Sequence, residues 1–290
     1  MYIDILFKWF NIILIMTAKK LYRKFWENGY VVIPNFLTKK EINKIFFQLN
    51  DIINQSLQGQ TEKILKLNNI DQKYLYLKKK DPKLKSHFYD LTRCCDSFIT
   101  LAGSKKLLKY AKLFSNSKTV FVEGWQVRTD HRNERLNLPE HQELNQLSKD
   151  VFTCWIPLVD VEKKSGGLYF RPKSHKLGHV KYKNANLNLY AIKYKNADLS
   201  ATAACKKRAK ILEKLFNQPR FKKFKSIDAK LKAGDAVMFH TFLFHGTHPN
   251  LINRMRWSFV ARYNSIKNAP YLKDKHAPFR VPYDADYNLI

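Results

Sequence analysis

Leu138-Pro139-Glu140-His141-Gln142-Glu143, followed by the apolar run Val151-Phe152-Thr153-Cys154-Trp155-Ile156-Pro157-Leu158-Val159, decides how this chain is read. On extended backbone, residues i and i+2 point to the same face. The His141 imidazole and the Glu143 carboxylate then converge and can share one divalent metal. A third ligand must come from elsewhere in the chain. His245 is the best candidate, in Met238-Phe239-His240-Thr241-Phe242-Leu243-Phe244-His245-Gly246-Thr247. Two His and one carboxylate make the facial triad of non-haem Fe(II) sites. His-X-Glu occurs by chance in many chains, so the surrounding pattern has to carry the reading. His240 competes with His245. On one continuous strand over 236–245 the two would face opposite sides. His245 is preferred because Gly246 beside it lets the backbone open to a ligand, whereas His240 is flanked by Phe239 and Phe242.

Upstream of that stretch the sequence reads first as helices and then as strands. Residues 18–29 have helical spacing, with Leu21, Phe25 and Trp26 apolar and Asn28-Gly29 as a stop. Tyr30-Val31-Val32-Ile33 is a β-rich run. Thr38-Lys39-Lys40-Glu41 is a capping box, opening a helix whose apolar face is Ile42, Ile45, Phe46, Leu49, Ile52 and Ile53. Tyr74-Leu75-Tyr76-Leu77 has weak strand character. Helices are expected near 84–101 and 104–114. From Thr119 the period becomes two, and 119–128 reads as a strand.

Downstream, Val151–Val161, Leu168–Pro172, Leu187–Tyr194, Ala236–His245 and Met255–Tyr263 read as strands. Ala201–Asn217 reads as a helix ended by Pro219. Residues 264–290, with three Pro, are expected to wrap the surface. Helices followed by many strands with short turns predict an α+β, mainly β chain built on a sandwich or barrel. The expected division is an apolar extension over 1–17 and a single domain over 18–290.

Composition sets outer limits. The 290 residues are 45% hydrophobic and 14% aromatic, enough for a full core. The formal charge is +29, from 53 Lys+Arg against 24 Asp+Glu. Such a charge draws anionic partners. The lysines are dispersed rather than gathered into a basic tail, so the sequence favours a small-molecule substrate over nucleic acid. Four Cys, two of them adjacent (Cys94 and Cys95), form no disulfide framework or zinc pattern. A reducing cytoplasm is the simplest setting. Residues 1–16 are apolar but would span only about 24 Å as a helix, short of a bilayer core of about 30 Å. They leave three readings open: an interfacial helix touching a membrane, a helix packed on the domain, or a start that properly lies at Met16. Oligomeric state is not legible.

Taken together, Asn28-Gly29-Tyr30-Val31-Val32-Ile33-Pro34-Asn35-Phe36-Leu37, His141-Gln142-Glu143, Trp155-Ile156-Pro157-Leu158, Gly166-Gly167-Leu168, Lys173-Ser174-His175-Lys176, Gly234-Asp235, His245-Gly246-Thr247 and Arg256-Trp257-Ser258 resemble the phytanoyl-CoA dioxygenase-like family. The resemblance runs from about residue 18 to 264. It implies a double-stranded β-helix (jelly roll, cupin-like) with flanking N-terminal helices. It also implies a dioxygenase using Fe(II), 2-oxoglutarate and O2. His141, Glu143 and His245 would ligate the iron. Arg256, eleven residues after His245, would bind the distal carboxylate of 2-oxoglutarate, with Thr247 assisting and Trp155 beside it. Ser258 shares the expected face of Arg256 and joins that set; Arg262 shares it too and ranks lower. The family pattern is mostly His-X-Asp, and this chain has Glu143 instead, one methylene longer. The presence of a carboxylate ligand disfavours halogenation.

Three function classes therefore compete. A hydroxylating dioxygenase acting on a small organic substrate, of anionic or acyl character, ranks first. A non-catalytic jelly-roll binding protein and a basic nucleic-acid-binding protein are the alternatives.

Overall fold

Period-two alternation from residue 119 onward gives the strands two distinct faces, and the chain uses both. The computed structural model describes residues 17–57, 67, 69–80, 82–132, 140–143, 152–178, 214 and 217–265. Among these, eight strands pair antiparallel in two sheets. The larger sheet has the order β1 (Tyr30–Ile33), β6 (Ala236–His240), β3 (Phe152–Pro157), β8 (Arg256–Ser265), β2 (Val120–Asp130). The smaller has the order β5 (Ile227–Asp228), β4 (Leu168–Phe170), β7 (His245–Thr247). These two antiparallel sheets are the jelly roll expected from the sequence.

Alternate residues of the larger sheet go to separate cores. Trp155, Val237, Phe239 and Val260 meet Leu168 and Phe170 of the smaller sheet, with Leu243, in one cluster. Cys154, Ile156, Met238, Phe259, Ala261 and Tyr263 meet the helices in the other. A one-residue slip in register would exchange these faces, so the pairing is strongly specified. Each large apolar side chain buried this way is worth roughly 1.5–3 kcal/mol. Cys154 is core, and burial pushes its thiol pKa up.

Helices cover the outer face. They are α1 (17–28), α2 (Lys39–Ser56), α3 (Ile70–Lys80), α4 (Pro82–Cys94), α5 (Asp96–Ala102) and α6 (Lys105–Ser115). The capping box forms: Thr38 Oγ1 accepts from the Glu41 N–H at 3.2 Å, and Glu41 accepts from the Thr38 N–H at 2.7 Å. Ile42, Ile45, Leu49 and Ile53 are buried beneath α2, and Phe46 and Ile52 pack at its margin.

Several expectations are corrected. Tyr74–Leu77 is helical, not a strand. Asn69 accepts from the Gln72 N–H at 3.0 Å to open α3, Tyr74 and Leu77 share its buried face at i and i+3, and Lys78–Lys80 lie at its negative end. The helix expected over 84–101 is broken at Cys95, whose backbone is extended. Pro219 opens α7 (Pro219–Lys222), where its missing N–H costs nothing. The long strand expected over 236–245 is two strands in different sheets. It breaks at His240, the Leu243 N–H returns to the His240 carbonyl at 2.9 Å, and pairing resumes at His245. The expectations for 1–16, Leu187–Tyr194, 201–213 and the tail beyond 265 lie outside the described residues. Among the described residues, no helix is long and apolar enough to cross a membrane.

Candidate metal centre

The segment holding His141 and Glu143 lies against β7. His141 and His245 exchange both backbone hydrogen bonds, N–H to O=C at 2.8 and 3.1 Å, and the Glu143 N–H donates to the Thr241 carbonyl at 3.0 Å. The two arms of the triad are thus clamped to each other by main-chain pairing. Parity does the rest. Gln142 points the other way and donates its side-chain amide to the carbonyls of Gly178 and Phe242, both at 2.8 Å. His141 and Glu143 are left on the face of His245.

There the three side chains converge. Their ligand atoms all lie within 4.8 Å of one another. Glu143 Oε1 is 3.8 Å from His141 Nε2 and 3.5 Å from His245 Nε2. His245 Nδ1–H donates to the Leu243 carbonyl at 2.9 Å, which leaves Nε2 with its lone pair toward the site. Phe239 packs on the His245 ring at 4.4 Å between centroids. Burial alone would raise the Glu143 pKa, but the Arg262 guanidinium outweighs it and holds the carboxyl well below the usual range. Two imidazole nitrogens and a carboxylate oxygen on converging atoms fit a single divalent first-row metal.

The remaining expected residues line the same interior. Trp155 is buried between the sheets. Arg256 pairs with Asp130 at 3.7 Å and donates to the Gly166 carbonyl. It therefore makes the ion pair expected of a purely structural arginine as well as facing inward. Asp71 accepts from the N–H of Met255 at 3.0 Å and from Trp257 Nε1 at 2.7 Å, so a helix residue pins both neighbours of Arg256. Ser258 is fully buried with its hydroxyl toward the Arg128 carbonyl at 3.4 Å, and Thr247, half-buried, is i+2 from His245.

His240 and His175 lie elsewhere. His240 packs on Trp26 and Phe25, and its Nδ1 accepts from the Phe242 N–H at 3.0 Å. Burial lowers its pKa to about 3, with nearby His175 adding to the effect. His175 reaches the Trp26 carbonyl at 2.9 Å. His248 bonds Asp228 at 2.6 Å and packs on Tyr169.

Further residues complete the surroundings. Glu140, next to His141 in the chain, pairs with Arg171, which also donates to the Phe224 carbonyl at 2.7 Å. Gln126 and Arg128 face inward on β2, opposite Val260 and Ser258. The Thr153 hydroxyl is buried without a hydrogen-bond partner, in register with Phe239 and Arg262. Period-two parity from Val260 would have found Gln126 and Arg128. Nothing in the sequence pairs Glu140 with Arg171. Loop 129–140 and residues 183–232, the segments whose place in the sequence suggests an entrance, are described only at 129–132, 140, 214 and 217–232.

The comparisons with known proteins agree with this architecture. Among solved structures, the fold is similar to the non-heme alpha ketoglutarate dependent epimerase SnoN from nogalamycin biosynthesis (TM-score 0.56, 16% identity, covering 86% of this chain and 84% of that one). It is also similar to EctD from S. alaskensis (TM-score 0.55, 12% identity, 86% and 77%). HygX from Streptomyces hygroscopicus, solved with nickel and 2-oxoglutarate bound, is a third (TM-score 0.51, 12% identity, 83% and 85%). No curated protein sequence matches the chain. The family model described as phytanoyl-CoA dioxygenase matches residues 25–258, a span that holds His141, Glu143, His245 and Arg256. The chain belongs to the phytanoyl-CoA dioxygenase family, whose members are oxygenases that use Fe(II), 2-oxoglutarate and O2.

Proposed function

We propose that this chain, as one oxygenase domain over 18–290, hydroxylates a small organic substrate at an iron held by His141, Glu143 and His245. The observation that carries the reading is the convergence of those three ligand atoms within 4.8 Å on two segments clamped by reciprocal main-chain hydrogen bonds. Ferrous iron, with 2-oxoglutarate and O2, supplies the oxidising power to turn a substrate C–H into C–OH, with succinate and CO2 as coproducts.

The protein contributes binding, orientation and shielding. His141 and His245 offer neutral nitrogens, and the Leu243 carbonyl fixes the His245 tautomer. Glu143 supplies the anionic ligand, which its low pKa keeps ionised at neutral pH. Arg256, held by Asp130 and the Gly166 carbonyl, presents a planar cation for the distal carboxylate of 2-oxoglutarate. Thr247 and Ser258 add hydroxyls on the same side. Trp155, Phe239 and Val260 keep water from the reacting centre. Arg128 on the inner face of β2, together with the overall charge, favours an anionic substrate.

A screen of carboxylates, phosphate esters and acyl thioesters, read by O2 uptake with iron and 2-oxoglutarate present, tests the reading. A substrate that accelerates uptake and gains one oxygen atom supports it. Turnover that persists after iron is removed would overturn it.

A further inference from the structure

The two oxygens of Glu143 have different neighbours. Oε1 faces the imidazoles, at 3.8 Å from His141 Nε2 and 3.5 Å from His245 Nε2. Oε2 accepts two hydrogen bonds from one guanidinium, from Arg262 Nε at 3.2 Å and Arg262 Nη2 at 3.1 Å. Arg262 stands on β8, paired across the backbone with Gly124 on one side and Thr153 on the other, and its side chain is largely buried. At the other end of the same residue, the Glu143 N–H is held by the Thr241 carbonyl.

We infer that Arg262 is a positioning residue that keeps Glu143 a one-oxygen ligand, so that the longer acid does not fill a second coordination position. The inference rests on the iron and 2-oxoglutarate reading above. A carboxylate binds a cation through one oxygen or both. A facial triad works only because the opposite face stays open. Glutamate has one more rotatable bond than aspartate and so can swing both oxygens onto the ion. Here that swing would break two charge-assisted hydrogen bonds to Oε2, which are among the stronger ones in proteins. An aspartate, shorter by about 1.5 Å, would not span from the imidazoles to Arg262. The coupling therefore belongs to the pair Glu143 and Arg262, and it makes the departure from the usual acid part of the design.

Cobalt(II) binding to the purified, metal-free protein tests this without turnover, through affinity and through the visible absorption that reports coordination. Arg262→Met should bind cobalt more tightly than wild type, against the roughly 10–100-fold loss usual when a partner of a metal ligand is removed, with a changed spectrum as the freed carboxylate takes a second position. Arg262→Lys keeps a charged donor and should retain the wild-type spectrum. In a Glu143→Asp background, Arg262→Met should leave the spectrum unchanged. Should Arg262→Met fail to fold, Arg262→Gln, with a neutral donor, should show the same spectral change at smaller amplitude. An unchanged spectrum in the folded Arg262 variants, or the same change in the Asp background, overturns the inference. A wild-type protein that binds no cobalt overturns the metal centre itself.

Discussion

His240 and His245, five residues apart in the chain, lie on opposite sides of the five-stranded sheet: His240 packs on Phe25 and Trp26, and His245 faces the interior against Phe239. Leu243 and its neighbours carry the chain from one sheet to the other between them. The two imidazoles therefore have separate surroundings, one packed under α1 and one converging with His141 and Glu143.

The first prediction concerns His240. Burial holds it neutral with a folded-state pKa of about 3, against 6.5 when exposed. Between those values the unfolded chain binds the extra proton, so stability falls as pH drops below 6.5 and goes on falling toward 3. The slope is about 1.4 kcal/mol per pH unit per proton. In urea unfolding of metal-free protein, His240→Asn should flatten this decline between about pH 6 and pH 5. An identical slope in both proteins would show that His240 does not set it.

Arg256 is the second. If its guanidinium receives the distal carboxylate, Arg256→Gln removes a buried charge-assisted contact worth a few kcal/mol. The KM for 2-oxoglutarate should rise about 100-fold. The KM for the organic substrate should move little. Equal change in both constants would place Arg256 in the structural pair with Asp130 alone.

Gly166 supports that arginine. Its φ is +78°, and a Cβ there would sit 2.7 Å from Asp130 Oδ2 and 3.4 Å from Arg256 Nη1. Gly166→Ala should cost about 1–3 kcal/mol in stability, from the left-handed backbone and the displaced carboxylate. It should also raise the 2-oxoglutarate KM severalfold, because the pair that orients Arg256 is pushed apart. A variant as stable as wild type in thermal unfolding, with an unchanged KM, would show that the pair tolerates the crowding.

Much of this was legible in the sequence, and the reasons are local. Thr38 and Glu41 form their box because it needs only four consecutive residues. The strands around Cys154, Trp155 and Phe259 follow from alternation. His141 and Glu143 converge because parity on extended backbone is reliable. Failures came where tertiary contacts decide. Tyr74–Leu77 has strand-like residues, yet the buried face it must present has helical spacing. The chain break after His240 depends on a turn with no Gly or Pro to mark it. Arg262, ranked below Arg256, holds the Glu143 carboxylate through two hydrogen bonds, a contact across 119 residues of sequence that no local pattern announces.

Succinate release is the decisive observable for the iron centre. Purified protein supplied with ferrous iron, 2-oxoglutarate and O2 should form succinate, and His141→Ala, which removes one of the three convergent ligands while leaving the β7 pairing to its backbone, should form essentially none. Succinate formation at the wild-type rate in His141→Ala, or undiminished after iron is chelated away, would contradict the assignment of His141, Glu143 and His245 as the metal centre.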